Sequence, residues 1–243
     1  MTKDQEIEVY RTALELRKNA AERIIMMFNR AIAERGVCFA ALSGGETPRP
    51  VYRLLGTAPM KDRIDWSCVH LFLTDERCVP PADPQSNFGM VNRELISHIA
   101  IPSENVHRIQ GEILPELAAA DYNLQLKEYL RDGIVRFDVV LLGLGGDGHT
   151  ASIFPGTAAV EEEKAFALAV FVPRLNHWRV TLTFRCINNT REVIFLVSGK
   201  QKASIVQRVL FSSKPQNDIP AAIVQPEDGK LLWMIDKDAA GGV

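Results

Sequence analysis

Three short apolar runs, each emptying into a glycine-rich or charged cluster, constrain this chain more than any other feature. Val37 to Leu42 runs into Ser43-Gly44-Gly45, Val69 to Leu73 into Thr74-Asp75-Glu76-Arg77, and Val139 to Leu142 into Gly143 through His149. The last two lack polar alternation, as strands covered on both faces do. Residues 10–35 carry apolar side chains at helical spacing and stop near Gly36. Candidate strands follow at 167–172, 180–184, 193–197 and 231–235, with a helical stretch over 201–210. This alternation predicts an α/β fold: a mostly parallel twisted sheet with helices on both faces, Rossmann-like, in a single domain spanning 1–243. In such sheets ligands sit beyond the carboxyl ends of the strands, where these clusters fall.

Composition narrows the partners. The 243 residues are 47% hydrophobic and 24% charged with a formal net charge of -2. A nucleic acid or an anionic membrane surface would need a basic surplus that this chain lacks, whereas a small anion needs only a few local cations. The four cysteines are far apart, without zinc-site or disulfide-scaffold spacing, and read as reduced thiols. Met1 to Glu8 is polar and acidic, unlike a secretory signal, so a cytoplasmic location is expected. The oligomeric state is left open, a monomer included.

Ser43-Gly44-Gly45-Glu46-Thr47-Pro48 places two glycines between a strand and a helix start, where backbone N–H groups approach an anion. A Gly-Gly pair after a strand is also a common plain turn. The segment is no P-loop and lacks the three-glycine dinucleotide fingerprint, so no nucleotide cofactor is expected. In the second cluster, Arg77 offers a planar fork for an oxyanion or phosphate, and Asp75 can orient a sugar hydroxyl or another site residue. The third, residues 143–150, surrounds Asp147 and His149 with four glycines and marks His149 as a general base with Asp147 steering the ring or the loop. Ser43 and Ser152 lack the flanking pattern of a nucleophile elbow, which makes water the simpler nucleophile. The remaining histidines, 70, 98, 107 and 177, lack such surroundings and read as structural. Arg179 and Lys202 are further cations near the ligand edge, although strand-end and helix-end cations are more often solvated.

Taken in order, these segments resemble the 6-phosphogluconolactonases, relatives of the glucosamine-6-phosphate isomerase/deaminases. The similarity is carried by residues 43–48, by Asp75-Glu76-Arg77 with Val79-Pro80 and Ser86-Asn87, and most specifically by residues 145–155, GGDGHTASIFP. Arg179 with Thr181-Leu182-Thr183, and Gly199 with Gln201-Lys202-Ala203, match further family positions, and the resemblance spans about residues 10–235. The sister isomerases carry a Tyr after the Asp-Glu pair and a Glu five places after the His; here those positions hold Arg77 and Phe154. Ile153 stands where Leu is usual, and Phe184-Arg185 where a Pro-rich turn often follows. The resemblance implies a hydrolase without cofactor or metal, acting on a phosphorylated sugar lactone. In that picture His149 activates water, Asp147 orients it and Arg77 or glycine-loop N–H groups hold the oxyanion. Ser43, Gly44, Gly45, Thr47, Asp75, Arg179 and Lys202 hold substrate and phosphate. An isomerase/deaminase and a non-catalytic sugar-phosphate sensor are the alternatives; the sensor would ordinarily append a DNA-binding domain.

Overall fold

The computed structural model describes residues 5–129, 136–212 and 218–241. Its elements are, in order, β1 (Gln5–Tyr10), α1 (Ala13–Arg35), β2 (Cys38–Leu42), α2 (Arg49–Leu55), β3 (Val69–Leu73), β4 (Asp75–Arg77), α3 (Asn87–Glu94), β5 (Val106–His107), α4 (Pro115–Tyr129), β6 (Val139–Leu142), β7 (Ala167–Val172), β8 (His177–Leu182), α5 (Phe184–Ile187), β9 (Glu192–Val197), α6 (Ala203–Leu210), α7 (Pro220–Ile223) and β10 (Lys230–Asp236).

Local chemistry sets the boundaries. Thr12 Oγ1 accepts the Glu15 N–H at 3.1 Å and starts α1. Gly36, at φ +75°, ends it by donating its N–H to Ile32 O at 2.8 Å. Between these caps Leu16, Ala20, Ala21, Ile24, Ile25, Met27, Phe28 and Ala31 form the buried face.

Seven parallel strands form the main sheet in the order β1-β10-β9-β6-β2-β3-β5. One core packs α1, α2 and α3 against one face of this sheet, around Phe28, Tyr52 and Val91; the other joins α4, α5 and α6 to the opposite face, around Tyr122, Ile187, Ile205 and Trp233. The predicted mostly parallel, doubly covered sheet is therefore present. Among the described residues, no helix is long and apolar enough to cross a membrane.

The structure departs from the sequence reading in three places. The N-terminal residues 5–10 form an edge strand, parallel to β10, that the charged pattern QEIEVY does not advertise. An edge strand is only half covered, and its charges guard it against further pairing. The expected strand at 180–184 starts earlier and ends at Leu182, because Thr183 turns away to bond the chain at Ala165 and Phe166 and Phe184 opens α5. Third, the strands at 167–172 and 177–182 lie outside the main sheet, in an antiparallel layer of order β4-β8-β7. Asp75–Arg77 is the third strand of that layer rather than the tail of β3.

Candidate active site

Because the main sheet is all parallel, its strands deliver their loops to one edge. From β2 the chain goes to β3 and β5 on one side, then crosses to β6 on the other, so the order reverses between β2 and β6. A cleft of ≈ 380 Å³ opens there, walled by the loops after β2 and β6, by β4 and β8, and by the start of α6. Ser43, Gly44, Gly45, Thr47, Asp75, Arg77, His149, Arg179 and Lys202 all line it. Asp147 stands behind His149, in contact with its ring.

The loop after β6 presents the imidazole. Asp147 Oδ1 lies 2.5 Å from His149 Nδ1 and also accepts the His149 backbone N–H at 3.3 Å. Burial opposes ionisation of Asp147, but its hydrogen bonds to His149 and the nearby Arg174 charge outweigh that, holding the carboxyl at about 2. An ionised carboxylate at Nδ1 requires that nitrogen to carry the proton, which leaves the lone pair of the neutral ring on Nε2. The ring also stacks on Phe154, centroids 4.0 Å apart, so its plane is fixed by packing as well as by the carboxylate.

Cations dominate the opposite wall. Arg77 on β4 and Arg179 on β8 are directly paired in the antiparallel register. Like charges placed opposite one another are unfavourable unless an anion bridges them. Arg179 is largely buried, and desolvation pulls its pKa down against the pull of Asp75, whose Oδ2 is 3.9 Å away. Among the described residues, Arg77 Nε, Arg179 Nε and Ser43 Oγ are buried without a hydrogen-bond partner, as expected of groups that await an oxygen-rich ligand. Burial lowers the Lys202 pKa too, with Asp147 opposing.

Asp75 and Glu76 divide their labour. Asp75 Oδ2 accepts the Ser152 hydroxyl at 2.6 Å, and Ser152 N–H donates to Thr181 Oγ1 at 3.1 Å, which ties β4 to the loop after β6 and to β8. The Glu76 carboxylate turns away from the cleft and accepts the N–H groups of Arg77, Asn87 and Phe88 and the Ser86 hydroxyl. It thereby fixes the start of α3, even though burial raises its pKa. That placement sets Asn87 beside the β2 loop: a Cβ on Gly44 would lie 1.8 Å from Asn87 Oδ1, so any larger residue there must push the Asn87 side chain, which donates to Asp75 O, out of place.

The sequence reading missed one cation. Arg174, in the turn between β7 and β8, places NH2 2.7 Å from Asp147 Oδ2 and its guanidinium 4.8 Å from the Phe154 ring centroid. Nothing about an arginine in the segment VPRLNHW distinguishes it from a solvated loop residue; only the packing of the antiparallel layer brings it here. Arg185 lies elsewhere, over the Phe166 ring at 4.4 Å. The other histidines serve structure: His98 bonds Arg93 O, His177 bonds Trp178 O, and His70 and His107 pair within an aromatic cluster. Among the described residues no three His, Cys, Asp or Glu side chains converge as metal ligands, and the four cysteines are free thiols.

A family model described as glucosamine-6-phosphate isomerases/6-phosphogluconolactonase matches residues 11–233. The 6-phosphogluconolactonase of Aggregatibacter actinomycetemcomitans is 36% identical over 200 residues, covering 82% of this chain and 85% of its own. That of a Nostoc species is 34% identical over 243 residues, covering 98% of each. The crystal structure of Thermotoga maritima 6-phosphogluconolactonase superimposes with a TM-score of 0.83 at 31% identity, over 96% of this chain and 100% of that one. A match running nearly end to end, with identity above 30% along most of both partners, establishes that this chain belongs to the glucosamine-6-phosphate isomerase/6-phosphogluconolactonase family.

Proposed function

We propose that the chain hydrolyses 6-phospho-D-glucono-1,5-lactone to 6-phospho-D-gluconate, the second step of the oxidative pentose phosphate pathway, with residues 1–243 acting as one catalytic unit in the cytoplasm. The observation that carries this reading is the His149 ring, held through Nδ1 by the Asp147 carboxylate at 2.5 Å in a cleft whose other wall is cationic. Nε2 accepts a proton from water as the water oxygen attacks the lactone carbonyl carbon. The carbonyl oxygen becomes an oxyanion, held by Arg77 or by N–H groups of the glycine loop; one such donor is typically worth about 3 kcal/mol. Collapse of the tetrahedral intermediate breaks the ring C–O bond, and the imidazolium returns its proton to the departing ring oxygen. The product carboxyl then releases one proton to solvent. Ser43, Gly44, Gly45 and Thr47, with Arg179 and Lys202, hold the phosphate and the sugar, and this remote hold positions the carbonyl.

The isomerase/deaminase alternative needs further acid–base groups near the sugar ring. Phe154 occupies the position of that family's additional carboxylate and stacks on His149 instead, which favours hydrolysis. The reading calls for a small sugar-phosphate substrate and neither a nucleic-acid nor a membrane partner.

The decisive test is proton release on adding freshly prepared 6-phosphoglucono-δ-lactone in chelator-treated buffer, with the spontaneous rate subtracted. A rate well above background is expected, and no ammonia from glucosamine 6-phosphate. A rate equal to background, or ammonia release, would remove the reading.

A further inference from the structure

We propose that Arg174 is a positioning residue that divides the charge of Asp147 and so sets the orientation and basicity of the His149 ring; its catalytic consequence rests on the lactonase reading. The residue sits in the one-turn segment Pro173–Leu175 that joins β7 to β8, closed by Asn176 in the left-handed region (φ +47°). The β7–β8 pairing runs from Ala167↔Leu182 to Val172↔His177, so the height of this turn above the loop after β6 is fixed by the antiparallel layer.

The contacts are divided in a specific way. Asp147 Oδ2 faces Arg174 NH2 at 2.7 Å, while Oδ1 faces His149 Nδ1 at 2.5 Å. Arg174 NH2 also lies 3.4 Å from Nδ1. Since Nδ1 donates to Asp147, that approach sets two N–H donors side by side and is an electrostatic opposition, not a hydrogen bond. The opposition grows when the ring takes a second proton. Arg174 further covers the face of Phe154, the ring on which His149 stacks, and so touches both walls that hold the imidazole.

The charges around the base are Asp147, Arg174, Lys202 within the field of Asp147, and Arg179, 5.5 Å from the Phe154 centroid. Asp147 alone would pull strongly towards the imidazolium, a form that cannot accept a proton. Sharing the carboxylate with Arg174 weakens that pull while fixing the carboxylate rotamer. Arg174 is half exposed, so solvent screens the effect, and the arginine tunes the base without switching it on or off.

Two variants test this, Arg174→Gln and Arg174→Lys, with thermal unfolding to show that the exposed turn tolerates both. NMR of the His149 ring in the free protein reads the coupling without turnover. Its titration midpoint should move to higher pH in Arg174→Gln and return towards the wild-type value in Arg174→Lys. With the lactone at neutral pH, kcat should fall on the order of ten-fold in Arg174→Gln while KM stays within about three-fold. An unchanged midpoint overturns the proposal. So does a raised KM at constant kcat, which would make Arg174 a substrate-binding cation. A wild-type protein without lactonase activity would instead sink the functional reading, and the titration difference would still decide the role of Arg174.

Discussion

Gly145 and His149 are packed so closely that a Cβ on the glycine would lie 2.0 Å from Nδ1 of the imidazole and 2.6 Å from Asp147 Oδ1. Their backbones are joined as well, Gly145 N–H donating to His149 O at 2.8 Å. Gly145→Ala must therefore displace the His149 imidazole or the Asp147 carboxylate while leaving the strand beneath untouched. We expect a protein with a near wild-type urea midpoint and a kcat reduced on the order of a hundred-fold. Wild-type kcat in that variant would show that the ring needs no such support.

Removing the proposed base separates chemistry from binding. His149→Ala should lower kcat by roughly two to four orders of magnitude, the usual scale for losing a general base, with affinity for 6-phosphogluconate largely retained. Calorimetric titration of product and progress curves corrected for spontaneous opening check both halves. If background-corrected kcat survives, Asp147 or Asp75 is the next base to examine.

Lys202 and the buried Ser43 Oγ, which has no hydrogen-bond partner among the described residues, predict a phosphate handle. Glucono-δ-lactone without phosphate should be a much poorer substrate than its 6-phosphate. Lys202→Ala should reduce kcat/KM on the phosphorylated lactone by on the order of a hundred-fold, corresponding to about 3 kcal/mol for a lost charged hydrogen bond. Activity on the plain lactone should barely change. Equal losses on both substrates would move Lys202 from the phosphate to the reacting end.

A stability prediction concerns His107, buried on β5, stacked on Phe72 at 4.1 Å and with Nε2 3.0 Å from His70 Nδ1. Burial, with the His70 charge second, pulls its pKa down to about 4. In the unfolded chain an imidazole titrates near ~6.5. The unfolded state therefore binds the proton first. Stability is full above that value and is lost as pH falls towards 4, by up to about 3 kcal/mol. Urea midpoints at pH 7.5 and 4.5 measure the loss, and His107→Phe, which keeps the stack and removes the titrating ring, should reduce it. The same pH dependence in both proteins would assign the acid sensitivity to other groups.

Much of this molecule was legible from the order of residues alone. Apolar runs at 69–73 and 139–142 without polar alternation point to strands covered on both faces, the run at 37–42 reads as a third strand, and parallel strands send their loops to one edge. That is why residues 43–47, Asp75, Arg77 and His149, distant in sequence, could be assigned to one site before any coordinates. The sequence also carried the reaction class in Phe154, since a side chain without a titratable group cannot do acid–base work. Tertiary structure decided the rest, because pairing across strands leaves no trace in local pattern. Short runs such as those at 167–172 and 177–182 could join either sheet, and only the antiparallel β4-β8-β7 layer sets Arg77 opposite Arg179. Glu76 and Arg77 look alike as charged neighbours on a strand end; burial against the start of α3 makes the first an acceptor for four donors and leaves the second facing the cleft. Arg174 was invisible for the same reason: its role depends on the height of a hairpin turn above another loop, a distance set by packing between layers.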